Sequence, residues 1–197
     1  MEAIIHYLLK DTKVEGPKRR YCIWFQGCSK RCKGCFSKAT WDFKGGYKID
    51  CDKLLEDIFK QKHIEGVTFL GGEPFEQYEA LEYLSKNIHS QNLGIVCFTG
   101  KLFEEIKSNY PNILSYIDLL IDGGFEEDKK DYSRPWVGSK NQNYYFLSER
   151  YNENIIKQYK NAFEINIKKN GNFFINGMGN IEELLKKLEY PYKNKNA

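Results

Sequence analysis

Apolar, β-branched and aromatic runs alternate along the chain with longer segments that have the period of an amphipathic helix. Short runs of this kind predict β-strands, and they lie at residues 3–8, 21–25, 67–70, 93–98 and 119–121. The helical period predicts three helices. The first follows Asp50, its N-cap, and the other two begin near Phe75 and near Lys101. Strand–helix–strand repetition requires right-handed crossovers and therefore favours a parallel sheet.

The length limits the number of repeating units. At roughly 30 residues per βα unit, 197 residues allow about six units, whereas a closed eight-unit barrel needs ~250 residues. We therefore predict an α/β fold built on a partial (β/α)6-type barrel of mostly parallel strands. Residues 123–143 lack a clear period, which favours a long functional loop.

The C-terminal part of the chain has a different pattern. Asn170-Gly171 stands between the runs 163–168 and 172–175 and predicts a β-hairpin. A last helix is predicted over about 181–188, before a Lys/Asn-rich tail. The predicted organisation is a core domain over residues 1–150 and a C-terminal hairpin and helix extension over 151–197, packed on the core.

Composition narrows the class of protein. Hydrophobic residues make up 41% of the chain, enough for a real core. Thirty basic against 27 acidic side chains leave a net charge of +3, which favours neither nucleic acid nor an anionic membrane as a partner. Since the N-terminal region matches neither a signal peptide nor a membrane span, we expect a cytoplasmic protein whose thiols stay reduced. Its six cysteines then indicate metal or redox chemistry.

Three cysteines form the pattern C-x3-C-x2-C directly after the predicted strand 21–25, namely Cys28, Cys32 and Cys35. Ligands of parallel α/β folds gather at the C-terminal ends of strands. Structural zinc and ordinary ferredoxin clusters take four protein ligands, whereas three thiolates on a cubane would leave one iron open to a substrate or cofactor. A zinc site completed by a distant ligand remains the alternative. The other cysteines are expected in the core, and they are Cys22, Cys51 and Cys97.

The segment from Gly27 to Phe36 resembles the cluster loop of radical S-adenosylmethionine (SAM) enzymes. With its flanks, Gly16-Pro17 and Ser37 to Trp41, it resembles the family of anaerobic ribonucleotide reductase activating proteins, which are glycyl-radical activating enzymes. Further motifs follow in the expected order as far as about residue 143, and they are Gly71-Gly72-Glu73-Pro74, Thr99-Gly100, Asp122-Gly123 and the run from Trp136 to Gln142.

The resemblance implies a radical SAM fold, a [4Fe-4S] cluster on the three cysteines, and SAM chelating the open iron. One electron from the reduced cluster then cleaves SAM to a 5′-deoxyadenosyl radical, so the radical is carried by SAM and no catalytic side chain is predicted. By resemblance the SAM-binding residues are Gly34, Cys35, Phe36, Gly71, Gly72, Glu73, Thr99 and Asp122.

Several of these residues could instead have a structural role, in a turn or as a helix cap. Gly71-Gly72 is also typical of a strand-to-helix turn with Pro74 at the first helical position. Glu73 and Thr99 are suited to capping the helices that follow them, and Asp122 to a turn. Trp136 has no metal-ligand chemistry, and we expect it to dock a partner or form part of a lid.

The resemblance also implies partners: a large glycyl-radical protein, the anaerobic ribonucleotide reductase, and an electron donor such as flavodoxin. Two alternatives stay open. The same radical chemistry could act on another glycyl-radical enzyme or on a ribosomal peptide, since the C-terminal segment is unmatched and Lys18, Ser37 and Val137 depart from the family pattern. A non-catalytic electron carrier or zinc module would instead cleave no SAM.

Overall fold

The structure is a computed structural model that describes residues 1–167 and 169–186. The strands are β1 Glu2–Thr12, β2 Arg20–Phe25, β3 Tyr47–Asp50, β4 Gly66–Gly71, β5 Gly94–Phe98, β6 Leu119–Asp122, β7 Asn143–Phe146, β8 Phe163–Ile167 and β9 Phe173–Gly177. The α-helices are α1 Cys51–Phe59, α2 Tyr78–Ser90, α3 Phe103–Asn109 and α4 Asn154–Gln158. Short 3-10 turns cover Lys38–Thr40, Pro74–Gln77, Pro111–Ser115 and Glu127–Lys129.

A seven-stranded sheet in the order β3-β1-β2-β4-β5-β6-β7 forms the centre of the molecule. β2, β4, β5 and β6 pair in parallel, while β1, β3 and β7 join by antiparallel pairing. The prediction of an α/β fold with a mostly parallel sheet is confirmed. The six βα units expected from the length are not all present in the described residues, because β1 reaches β2, and β6 reaches β7, without a crossover helix.

The central strands are buried on both faces, as expected for a parallel sheet between layers. On one face, side chains such as Ile23 and Phe69 pack against the apolar sides of α1 and α2. Asp50 begins α1 as predicted, since its Oδ1 accepts hydrogen bonds from the backbone N–H groups of Asp52 and Lys53. The other face holds two smaller apolar clusters, one of which contains Trp136 and Val137.

The chain after β7 packs back onto the sheet. Tyr151 donates from its hydroxyl to Glu65, and Arg20, which is fully buried, bonds both of these residues at the edge where the parallel strands begin. β8 and β9 pair antiparallel, with Phe163 opposite Gly177. Residues 181–186 are helical, and the predicted continuation to residue 188 lies outside the described residues, as does residue 168 of the predicted hairpin. Among the described residues no helix is long and apolar enough to cross a membrane.

Candidate functional site

A cavity of about 450 Å³ opens where β2, β4, β5 and β6 end. That volume is within the range of ligand pockets, ~300–1,000 Å³. All but one of the predicted site residues line it, namely Cys28, Cys32, Gly34, Cys35, Phe36, Gly71, Gly72, Glu73 and Thr99. The fold therefore brings the cysteine loop and the glycine-rich strand end, about 40 residues apart in the sequence, to one pocket.

The cysteine loop follows β2 and is held by backbone hydrogen bonds. The N–H of Gly27 donates to the carbonyl of Thr40 at 2.7 Å, and that of Cys35 to the carbonyl of Cys32 at 3.1 Å. Cys28 is buried while Cys32 and Cys35 are half-buried, and burial raises the pKa of the Cys28 and Cys35 thiols. In the part of the chain that is described, no three His, Cys, Asp or Glu side chains converge closely enough to hold a single metal ion.

The two glycines at the end of β4 are required by close packing. Gly71 has φ +108°, and a Cβ there would lie 2.7 Å from the backbone of Phe25. A Cβ on Gly72 would overlap the carbonyl oxygen of Gly27, the residue before Cys28. Gly72 therefore lets the β4 end lie directly against the cysteine loop, and the N–H of Glu73 donates to that same carbonyl at 2.8 Å.

Glu73 and Thr99 join the ends of β4 and β5. The Thr99 hydroxyl donates to Glu73 at 2.7 Å, and the N–H groups of Gly100 and Phe75 donate to the same carboxylate. Burial raises the pKa of Glu73, and these hydrogen bonds partly offset the effect. Glu73 thus caps the Pro74–Gln77 turn, the alternative that the sequence left open, and both residues also line the pocket.

Two predicted functional residues lie elsewhere. Asp122 is not among the residues that line the pocket. Its carboxylate accepts hydrogen bonds from the N–H of Phe103 at 2.7 Å, at the start of α3, and from the side-chain amide of Asn143 at 3.1 Å. It therefore caps α3, and its contact with SAM stays a prediction. Trp136 is only 2% exposed and packs with its ring centroid 5.1 Å from that of Tyr159, so it is a core residue rather than a docking or lid residue.

The residues of the pocket fit an iron–sulfur cluster. The donor set is three thiols on one loop, and thiolates are the usual ligands of such clusters. A Cβ on Gly124 would stand 3.3 Å from the Cys32 sulfur, so this backbone leaves room beside the thiol. Phe36 lines the same pocket and keeps 55% of its surface exposed, which leaves its ring free to stack on a ligand.

Other pocket residues carried no signal in the sequence. Phe163 and Met178 line the cavity although they lie outside every functional motif, and Glu15 lines it although only its neighbours Gly16-Pro17 belong to one. Glu15 precedes β2, and the other two belong to the β8–β9 region. Their place in the pocket depends on how the C-terminal hairpin packs against the sheet, which no local pattern specifies.

Comparison with known proteins agrees with this geometry. Residues 14–145 match the family model described as a 4Fe-4S single cluster domain. A protein named anaerobic ribonucleoside-triphosphate reductase-activating protein from Pasteurella multocida is 34% identical over 147 residues, 69% of this chain and 92% of that one. Its namesake from Salmonella typhi is 31% identical over 137 residues, 66% of this chain and 89% of that one.

Among solved structures, QueE from Escherichia coli aligns with 51% of this chain and 53% of its own, with a TM-score of 0.43 and 20% sequence identity. The sequence matches include the cysteine loop and the strand ends around the pocket. The chain therefore belongs to the 4Fe-4S single cluster domain family and is a relative of the anaerobic ribonucleoside-triphosphate reductase-activating proteins.

Proposed function

We propose that the protein is a radical SAM activase that generates a glycyl radical on an anaerobic ribonucleoside-triphosphate reductase. The observation that carries the proposal is the convergence of Cys28, Cys32 and Cys35 with the Gly71-Gly72 strand end on one cavity. A [4Fe-4S] cluster bound there would supply the single electron that cleaves the carbon–sulfur bond of SAM. Methionine would then leave, and the 5′ carbon would take a hydrogen atom from a glycine Cα of the partner, giving 5′-deoxyadenosine and a glycyl radical.

The residues of this chain would bind and orient these groups. The three thiolates would hold three irons, and the backbone at Gly72, which lines the cavity, would face the polar end of SAM. The exposed ring of Phe36 would stack on the adenine. Glu73 and Thr99 would hold the two strand ends in register through their 2.7 Å hydrogen bond, so their contribution is to position the pocket walls.

The charge of the cysteine loop supports an acidic electron donor such as flavodoxin. Four exposed basic residues and no acidic residue lie in positions 28–38, namely Lys30, Arg31, Lys33 and Lys38. Subtracting these four from the 30 basic residues leaves 26 against 27 acidic ones, so this loop accounts for the whole positive balance of the chain. An acidic carrier would therefore be drawn to the surface nearest the thiols.

The proposal also includes the location of the protein, its partners and the shape of its sheet. We place the protein in an anaerobic cytoplasm, without nucleic acid or membrane as a partner. We also propose that the sheet curves as a partial barrel around the pocket and that residue 150 separates the core from the C-terminal hairpin and helix. Support for the curvature comes from the strand ends and the 177–182 segment, which line the same cavity.

Anaerobic reconstitution tests the function directly. The protein loaded with iron and sulfide, then mixed with SAM and reduced flavodoxin, should release 5′-deoxyadenosine. Adding the large subunit of the reductase should give a glycyl electron paramagnetic resonance signal. Cys32→Ala should abolish both results, whereas Cys51→Ala, in the core, should retain them. If no 5′-deoxyadenosine forms in the unaltered protein, the activase function is wrong.

A second candidate function differs from the first in the protein that receives the radical. About a third of the chain, including β8 and β9, lies outside the matched residues 14–145, and this observation favours a partner that differs from that of the shorter relatives. The candidate is another glycyl-radical enzyme or a ribosomal peptide. It predicts normal 5′-deoxyadenosine release with no glycyl signal on the reductase.

A further inference from the structure

One wall of the pocket comes from a part of the chain that the family match does not include. The match ends at residue 145, yet Phe163 and the segment 177–182 line the same cavity as the cysteines. The cluster and SAM motifs lie between residues 28 and 100, inside the match. The cavity therefore has a family-wide side and a side that the extension of this chain supplies.

The hairpin that carries this wall is fixed to the sheet by packing and polar contacts. The ring of Phe174 lies 4.2 Å from that of Tyr7 and 5.7 Å from that of Trp24, centroid to centroid. The side chain of Asn176, 2% exposed, donates to Thr12 Oγ1 at 3.0 Å. A hairpin attached by buried contacts of this kind is a built part of the pocket.

The segment 177–182 is held at its start. The N–H of Gly177 donates to Glu15 at 2.6 Å, and the N–H of Met178 donates to the carbonyl of Ala162 at 3.1 Å. A Cβ on Gly177 would overlap that carbonyl oxygen, and one on Gly179 would lie 2.9 Å from the ring of Phe163. These glycines are therefore required for the wall to take this course.

The same region of the chain also fixes the loop opposite. The side-chain amide of Asn161 donates to the backbone oxygens of Tyr132, Arg134 and Val137, and its oxygen accepts from the N–H of Trp136 at 2.7 Å. Asn161 lies outside the family match, whereas the loop it binds lies inside it. The extension thus sets the positions of both sides of this part of the pocket.

The chemistry of this wall suits a polypeptide backbone. Gly177 and Gly179 line it with uncovered backbone, because their Cβ positions face Ala162 and Phe163 and no side chain of their own shields their peptide groups from the cavity. Met178 lies between these two glycines, with its sulfur 3.4 Å from the Cβ position of Gly138 on the core side, and a thioether adapts to irregular surfaces. Asn180, Ile181 and Glu182 follow it along the wall. Glu15, which also lines the cavity, has its carboxylate engaged by Gly177.

We propose that this wall contacts the polypeptide substrate and selects which glycine-bearing segment enters the pocket, with Met178 as the specificity-determining side chain. The inference rests on the activase function proposed above. The residues proposed to bind the cofactor lie inside the family match, so the wall that lies outside it is left to contact the polypeptide partner. Replacing Met178 should therefore change the use of the partner and leave SAM cleavage intact.

Met178→Gln keeps the length of the side chain and makes it polar, and Met178→Leu keeps its volume and apolar character. For each holoenzyme, 5′-deoxyadenosine release without partner gives the KM for SAM, and the glycyl signal against reductase concentration gives the KM for the partner. The glutamine variant should raise the partner KM about tenfold and change the SAM KM by less than about twofold. The leucine variant should restore the partner KM, and Phe173→Ala, 64% exposed on β9, is the matched control.

Other results of this experiment would contradict either the inference or the activase function. An equal rise in both KM values for Met178→Gln would assign the wall to the cofactor and overturn the inference. Unchanged values for that variant would overturn it too, while the activase function stands. A protein that releases no 5′-deoxyadenosine in its unaltered form would overturn the activase function and this inference together. Iron content and thermal unfolding of each variant show whether it is folded and loaded.

Discussion

Replacing Glu15 with glutamine tests how the C-terminal hairpin is attached to the sheet. The Glu15 side chain is buried and accepts a hydrogen bond from the N–H of Gly177 at 2.6 Å. Burial raises its pKa to about 7, the hydrogen bonds from Gly177 and Asn176 oppose that rise, and the nearby carboxylate of Glu164 adds to it. Burial and the nearby Glu15 carboxylate also raise the pKa of the Cys22 thiol on β2.

The raised pKa of Glu15 determines the size and sign of its effect on the free energy of unfolding. The difference between the ordinary value of 4.5 and about 7 corresponds to a cost of about 3 kcal/mol for ionising Glu15 in the folded protein. Because the folded state holds the proton more tightly, this cost is absent below pH 4.5, grows as the pH rises to about 7, and is constant above that. Glutamine still accepts from Gly177 and does not ionise.

The assay is urea unfolding of the metal-free protein at about pH 5 and about pH 8, under reducing conditions. The free energy of unfolding of Glu15→Gln relative to the unaltered protein should rise by up to about 3 kcal/mol between these two values. Glu79→Gln, exposed on α2, controls for the loss of a carboxylate. A difference in the free energy of unfolding between Glu15→Gln and the unaltered protein that does not change with pH would refute the raised pKa of Glu15.

Three further predictions concern the cluster and its surroundings. Cys32→Ala should lower the iron content and the brown absorbance of the reconstituted protein to near zero, whereas Cys51→Ala, buried in the core, should keep both and lower the free energy of unfolding by about 1 kcal/mol. Gly72→Ala should displace the cysteine loop, because its Cβ overlaps a backbone oxygen of that loop, and it should therefore reduce iron retention as well as SAM binding. Lys33→Gln removes the charge of a side chain that is 85% exposed and paired with Glu127 at 3.2 Å. It should slow reduction by flavodoxin at low salt but not reduction by photoreduced deazaflavin, whereas Lys86→Gln on α2 should change neither. Equal effects of the two lysine variants would contradict a donor surface at the cysteine loop.

Local sequence determined the features that depend on neighbouring residues. The spacing of Cys28, Cys32 and Cys35 directly after a strand indicated the edge of the sheet at which the thiols lie, because the strand end and the loop are adjacent in the sequence. Asp50 was identified as an N-cap for the same reason, since the bonds it accepts come from residues two and three positions later. The mostly parallel sheet followed from the alternation of strands and helices.

Other features depended on residues that meet only after folding. Asp122 stands at a strand end just as a ligand would, and only the packing of α3 and Asn143 against it showed that its oxygens are occupied. Trp136 lies in a loop by sequence yet is buried, because the chain after β7 returns to cover it. Strand direction at the sheet edges likewise depends on distant pairing, so β3 and β7 were not predicted.

The amino-acid sequence by itself determined the metal-ligating loop, the glycine-rich strand end and the class of fold, since these are set by short-range spacing and by period. Only the tertiary structure decided that Gly72 makes room for the cysteine loop and that residues 177–182 complete the pocket. The physical reason is that each of these roles depends on contacts between segments more than 40 residues apart, whose free energy no local pattern records.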